Sequence, residues 1–129
     1  GSSGRTKIMI GYVTLGVSDL ERAKSFYGTV LAPLGAKPAF GSERMQGFAN
    51  GAGPMLSVCT PYDGEAPSPG NGTMVALAAP SRELVDEIHA LALKTGAADE
   101  GAPGIRIPNF YGAYFRDLDG NKLCVFKMG

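Results

Sequence analysis

Few residues in this chain have the types and spacing that chemistry needs. Among 129 residues there is one histidine, His89, and there are two cysteines, Cys59 and Cys124. A single imidazole excludes a His-rich metal site and any iron site built from two histidines and a carboxylate. The two thiols are far apart, each inside a strand pattern, and read as free thiols of a cytoplasmic protein rather than a disulfide. Cys124 is the less ordinary of the two. It sits mid-strand, on the face opposite Leu123 and Val125, together with Lys122 and Phe126. A thiol there can be inert packing. It can be a nucleophile if a cation such as Lys122 lowers its pKa, or with Met74 a ligand for a soft ion such as Cu(I). His89 falls at the edge of a helical apolar stripe and is expected to be partly exposed. Glu83, Asp86 and Glu87 on the same helix read as a solvated face.

The elements that must position these residues repeat. Met9 to Val17 reads as an apolar strand. Ser18 to Glu21 has the spacing of a capping box, and Leu20, Ala23, Phe26, Tyr27, Val30, Leu31 and Leu34 form one helical stripe that ends at Gly35. In the second half, Met74 to Ala79 reads as a strand and Ser81 as a helix cap. Leu84, Val85, Ile88, Leu91 and Ala92 make a second stripe, which ends at Gly96. Tyr12-Val13-Thr14-Leu15 aligns with Met74-Val75-Ala76-Leu77, and Leu56-Ser57-Val58 with Leu123-Cys124-Val125. Each half therefore reads strand, helix, then about three short strands. Pro61 to Gly72 is a Pro/Gly-rich connector. Gly101 to Pro108 reads as a loop before a last hairpin, whose Asp119-Gly120 supplies tight-turn chemistry. Residues 1–8 read as an expression remnant ahead of a native start at Met9. The expected organisation is one domain over 9–129: module one at 9–60, linker at 61–72, module two at 73–129.

Bulk properties set outer limits. The apolar fraction is 44%, the charged fraction 19% and the formal net charge zero. Neither nucleic acid nor an anionic membrane has an electrostatic argument. No apolar run approaches the roughly 20 residues that span a bilayer.

Alternation then sorts each strand into two faces. Val13, Leu15, Val17, Leu56, Val58, Val75, Leu77 and Ala79 should pack under the helices. Tyr12, Thr14, Ser57, Cys59, Met74, Ala76, Lys122, Cys124 and Phe126 are left on the other face. Such residues either line a groove for a small organic ligand, form a second core layer, or form a dimer interface.

The stretches from Gly11 to Ala36, Gly70 to Ala79 and Tyr111 to Lys127 resemble the vicinal oxygen chelate superfamily, the glyoxalase, bleomycin-resistance and extradiol-dioxygenase group. The helix start with Phe26-Tyr27 and the Asp117-to-Asn121 hairpin carry most of the likeness. The resemblance implies an α+β fold of two tandem βαβββ modules whose sheets form an incomplete barrel around a central groove, often in a homodimer. In the metal-dependent members four inward side chains hold a divalent ion. They are typically His or Gln on the first strand, Glu on the fourth, His on the fifth and Glu on the eighth. Position by position these fall on Tyr12, Ser57, Met74 and Cys124, none of them the usual ligand. The expectation is therefore a protein without a metal or other cofactor. It should bind, or convert without metal, a small apolar or aromatic molecule, as the bleomycin-resistance members sequester theirs. Tyr12, Ser57, Met74 and Cys124 should line the site. Phe126 and Tyr111 (or Tyr114) should lie beside them, and Arg106 can pair with an anionic group of the ligand. The alternatives are a lyase of the lactoylglutathione lyase type and Cys124-dependent thiol chemistry.

Overall fold

The computed structural model describes residues 9–129, so the expectations for residues 1–8 lie outside it. The first half comprises β1 (Tyr12–Gly16), α1 (Leu20–Val30), a 3-10 turn (Ala32–Leu34), β2 (Lys37–Gly41), β3 (Met45–Ala49) and β4 (Met55–Cys59). The second comprises β5 (Val75–Ala78), α2 (Arg82–Lys94), β6 (Ala98–Ile107), β7 (Phe110–Arg116) and β8 (Lys122–Met128). Each half is a βαβββ module. Its four strands form one open sheet, ordered β1-β4-β3-β2 in the first and β5-β8-β7-β6 in the second. In both, the strand before the helix pairs in parallel with the last strand of the module. The remaining pairs are antiparallel.

The helices cover one face of the sheets because the apolar stripes demand it. Ala23, Phe26, Tyr27 and Val30 of α1, and Val85, Ile88 and Ala92 of α2, are buried against Leu15, Val58, Phe115, Leu123 and Val125. This is one core shared by both modules, not two separate ones.

The helix ends depart in part from the spacing argument. Asp19, not Ser18, caps α1, its side chain accepting from the Arg22 N–H at 3.1 Å. Ser18 is drawn away instead: its N–H and its hydroxyl both donate to Asp119 of the second module, at 3.0 and 2.7 Å. Helix α1 stops at Val30, and Gly35, with φ of 78°, closes the 3-10 turn that follows. Ser81 caps α2 by accepting from the Leu84 N–H at 3.1 Å.

The Asp117–Asn121 turn ties the modules together. Asp117 is buried, and its carboxylate accepts from four donors. One oxygen takes the N–H groups of Asp119 and Asn121, both at 2.9 Å. The other takes the Tyr27 hydroxyl at 2.5 Å and the Asn121 side-chain amide at 2.9 Å. Asn121 also donates to the Gly16 carbonyl at 2.9 Å, which reaches the end of β1. Burial pushes the Tyr27 phenol well above its ordinary pKa, and the Asp117 charge pushes the same way. Tyr27 therefore stays protonated and donates. The connector runs past this joint: a side chain added at Gly16 would meet Pro67 at 3.1 Å.

Two local expectations are corrected. The segment expected to be a loop, Gly101 to Pro108, belongs almost entirely to β6. Its register against β7 shifts at several points, and these irregularities hid the strand from a period-two reading. His89 is buried, not partly exposed, and its Nε2 lies 3.0 Å from Asp99 Oδ1 on β6. No helix of the described residues is long and apolar enough to cross a membrane.

Candidate functional site

The faces of the sheets turned away from the helices carry the residues left over by alternation. On the first module, β1 and β4 run in register as Tyr12–Met55, Thr14–Ser57 and Gly16–Cys59. Ser57 is fully buried. Its hydroxyl donates to the Val13 carbonyl at 3.0 Å and lies 3.1 Å from the Thr14 hydroxyl. A hydroxyl has one proton, so Thr14 donates to Ser57. Opposite Ser57 on β3 is Gly47, where a Cβ would fall 2.4 Å from the Met55 sulfur. The missing side chain lets the Met55 thioether lie flat over β3. Tyr12, at the start of β1, is 61% exposed.

The second module carries a different set on the same face. Cys124 pairs with Ala76 of β5 on one side and Tyr114 of β7 on the other. Phe126 pairs with Gly112, and its ring stacks on Phe110 with centroids 5.2 Å apart and planes at 8°. Gly112 is required there, because a Cβ would approach the Phe110 ring to 2.8 Å. The Tyr114 ring is flanked by two cations, the Arg106 guanidinium at 5.4 Å and the Lys122 ammonium at 5.6 Å. Tyr114 and Cys124 are direct cross-strand partners on this face. Burial pushes the Cys124 thiol up, and outweighs the opposing pull of Tyr114, Arg106 and Lys122. Burial likewise raises the Tyr114 phenol, followed by the Cys124 charge. At neutral pH the pair is a thiol and a phenol, not a thiolate.

The expected site residues fall in three places. Cys124, Phe126 and the Arg106 side chain share the inner face of the second sheet, although Arg106 stands on β6 and not in a loop. Tyr12 and Ser57 share the inner face of the first sheet but are not cross-strand partners. Met74, just before β5, is 44% exposed and borders two cavities. One is an apolar cavity of about 430 Å³ between β5 and the first module, reached by Val13, Leu34, Phe48 and Leu77. The other, about 640 Å³, lies under the connector at Pro69 to Thr73, with Arg116 and Lys122 on its wall.

Tyr111 is the exception. It pairs with Lys127 and points to the helix side, where its hydroxyl donates to Asp86 at 2.6 Å beneath Arg82. Tyr114, three residues on and so on the opposite face, occupies the place expected for Tyr111. The register of the final hairpin carried that information: pairing across the Asp119-Gly120 turn sets Tyr114, not Tyr111, against Cys124. Lys122, at the start of β8, adds a cation to the same face as Cys124 and Phe126.

The Glyoxalase/Bleomycin resistance protein/Dioxygenase superfamily model matches residues 9–125. The chain belongs to this superfamily. Among solved structures, a glyoxalase/bleomycin resistance protein from Albidiferax ferrireducens T118 is similar at 34% identity and a TM-score of 0.86. That match covers 94% of this chain and 99% of the other. A glyoxalase/bleomycin resistance protein/dioxygenase family enzyme from Burkholderia phytofirmans PsJN shares the fold, with a TM-score of 0.78 at 18% identity over 92% of this chain and 98% of its own. No protein of curated function matches.

Superfamily membership makes a metal centre the first chemistry to test. The donor set present here does not fit one. Tyr12 offers a phenol, Met74 a thioether and Cys124 a thiol held protonated by burial. The Ser57 proton is committed to the Val13 carbonyl and its oxygen receives Thr14. Hard divalent ions need carboxylate or carbonyl oxygens, and nickel or zinc needs imidazole or several thiolates. Among the described residues, no group of three or more His, Cys, Asp or Glu side chains is placed to hold an ion.

Proposed function

We propose that this superfamily member binds a small apolar or aromatic molecule over the inner faces of its sheets, without a metal ion. The observation that carries the reading is the second module's inner face. There the stacked Phe110–Phe126 pair and the Tyr114 ring lie in register with Cys124. Flat rings next to a polarisable sulfur suit the face of an organic ligand. Phe126 and Tyr114 form the floor over the buried Cys124, with Arg106 and Lys122 the charged margin. Tyr12, Ser57 and Met74 contribute from the adjoining surfaces. The exposed Tyr12, Met74 and Ile107 support a homodimer that covers part of this face. The free thiols Cys59 and Cys124 suit a cytoplasmic setting.

Glyoxalase-type proton transfer would need a carboxylate base and a Lewis acid. On this face the Glu100 carboxylate is paired with Arg116 at 3.4 Å. The reading is tested by mass spectrometry of freshly purified protein under non-denaturing conditions, with elemental analysis of the same sample. The expected result is a dimer carrying a small organic molecule and substoichiometric metal. One equivalent of a divalent ion per chain, surviving dialysis, would overturn it.

A further inference from the structure

We propose that the molecule bound over the second module is an aromatic carboxylate, its ring system on Phe126 and Phe110 and its carboxylate held by Arg106 and Lys122. The proposal deepens the binding reading above and rests on it. Three cations reach this face, and they are treated differently. Arg116 is paired with Glu100 and also donates to the Gly120 carbonyl at 2.9 Å. Arg106 and Lys122 have no carboxylate within 4.0 Å among the described residues, yet both are drawn to the one Tyr114 ring. The whole chain balances 12 basic against 12 acidic residues, so the excess positive charge is local to this face. Two like charges sharing one ring repel, and an anion between them relieves that repulsion.

The backbone around Arg106 also leaves room for its guanidinium. A Cβ at Gly101 or at Gly104 would meet Arg106 nitrogens at 3.0 Å, so the two glycines make the space in which the fork lies. Its Nη2 also donates to the Ala102 carbonyl. A planar fork suits a carboxylate bidentately. Along β8, Lys122, Cys124 and Phe126 face the same way, spanning about 13 Å at the usual rise per residue. Both cationic side chains lean toward Tyr114, midway along that line. The distance from charge to phenyl stack therefore suits a one- or two-ring acid.

The test is a matched pair of probes, 2-naphthoate and the uncharged 2-naphthylmethanol, titrated into the full chain with calorimetry and ¹H–¹⁵N spectra. The naphthoate is expected to bind about tenfold more tightly at low salt, a preference that shrinks at high salt. In the Arg106→Gln/Lys122→Gln variant, with its fold checked by the same spectra, the naphthoate should lose about tenfold in affinity and its preference over the alcohol should vanish. Equal binding of the two probes to the unmodified chain overturns the carboxylate assignment and leaves the groove standing. If neither probe shifts the amides from Phe110 to Phe126, the assignment and the groove reading fall together.

Discussion

On β8, Leu123 and Val125 are fully buried beneath the helices, whereas Lys122 and Phe126, on the opposite face, keep contact with solvent. The same division runs through both modules. On the helix side the polar groups are matched: Asp117 has four donors, His89 has Asp99, and no buried side-chain nitrogen or oxygen of the described residues lacks a partner. On the inner side two cations share a ring with no counter-ion among the described residues, and large rings are left partly open. Matched polar groups in a dry core are what stability requires. Unmatched charge and open aromatic surface do not help the isolated chain fold, and the proposed binding reading gives them a use.

The largest break in this contrast should come from the clamp between the modules. Asp117→Ala leaves the Tyr27 hydroxyl, the Asn121 amides and the Asp119 N–H without their acceptor. The expected loss is about 3–5 kcal/mol of unfolding free energy, read as a lower urea midpoint. A loss below about 1 kcal/mol would mean that water replaces the carboxylate and that the joint is not dry.

A second pair of substitutions compares the two faces on one strand. Leu123→Ala should cost about 2–5 kcal/mol, as deletion from a packed core does. Phe126→Ala, three residues away, removes a half-open ring and one stacking partner, and should cost about 1 kcal/mol. Its main effect belongs on ligand affinity. Should the two variants unfold at the same urea concentration, the inner face is a second core layer and not a binding surface.

The labelling of the two cysteines sharpens the chemistry of the inner side. Cys124 is 1% exposed and its thiol is raised by burial, while Cys59, at the end of β4, is half-buried. Iodoacetamide at neutral pH should modify Cys59 first and Cys124 at least about tenfold more slowly. Peptide mass spectrometry of a time course decides the order. Fast modification of Cys124 would revive the nucleophile that its surroundings now argue against.

Sequence reasoning reached the fold because both modules announce themselves locally. The stripes of α1 and α2, the Gly35 stop and the alternation of β4 and β8 are short-range signals. The site was legible only in part, for a reason visible in β6 and β7. Cys124 and Phe126 follow from alternation within one strand. Choosing Tyr114 over Tyr111 requires register between strands, and finding Arg106 above Tyr114 requires the shifted register of β6. Ser18 shows the same limit: its spacing fits a capping box, but a carboxylate 101 residues away competes for it. Long-range polar partners are set by the closed fold, and no window of sequence contains them.

The smallest expected effect tests the matched side of the contrast at its exposed margin. Asp99 accepts from the Gly101 N–H at 3.0 Å and meets His89 at the same distance. The Gly101 hydrogen bond first, then His89, holds its carboxyl below the ordinary aspartate value. A carboxyl with a lowered folded-state pKa adds stability above its unfolded pKa of about 4, and that contribution disappears as pH falls through the folded value. Asp99→Asn keeps an oxygen for Gly101 but cannot ionise. The unmodified chain should therefore lose its advantage over the variant as pH drops from about 5 to 2, measured as the separation of their urea midpoints. Parallel curves across that range would show that Asp99 is solvated alike in both states, and that the helix side stops pairing its charges before it reaches β6.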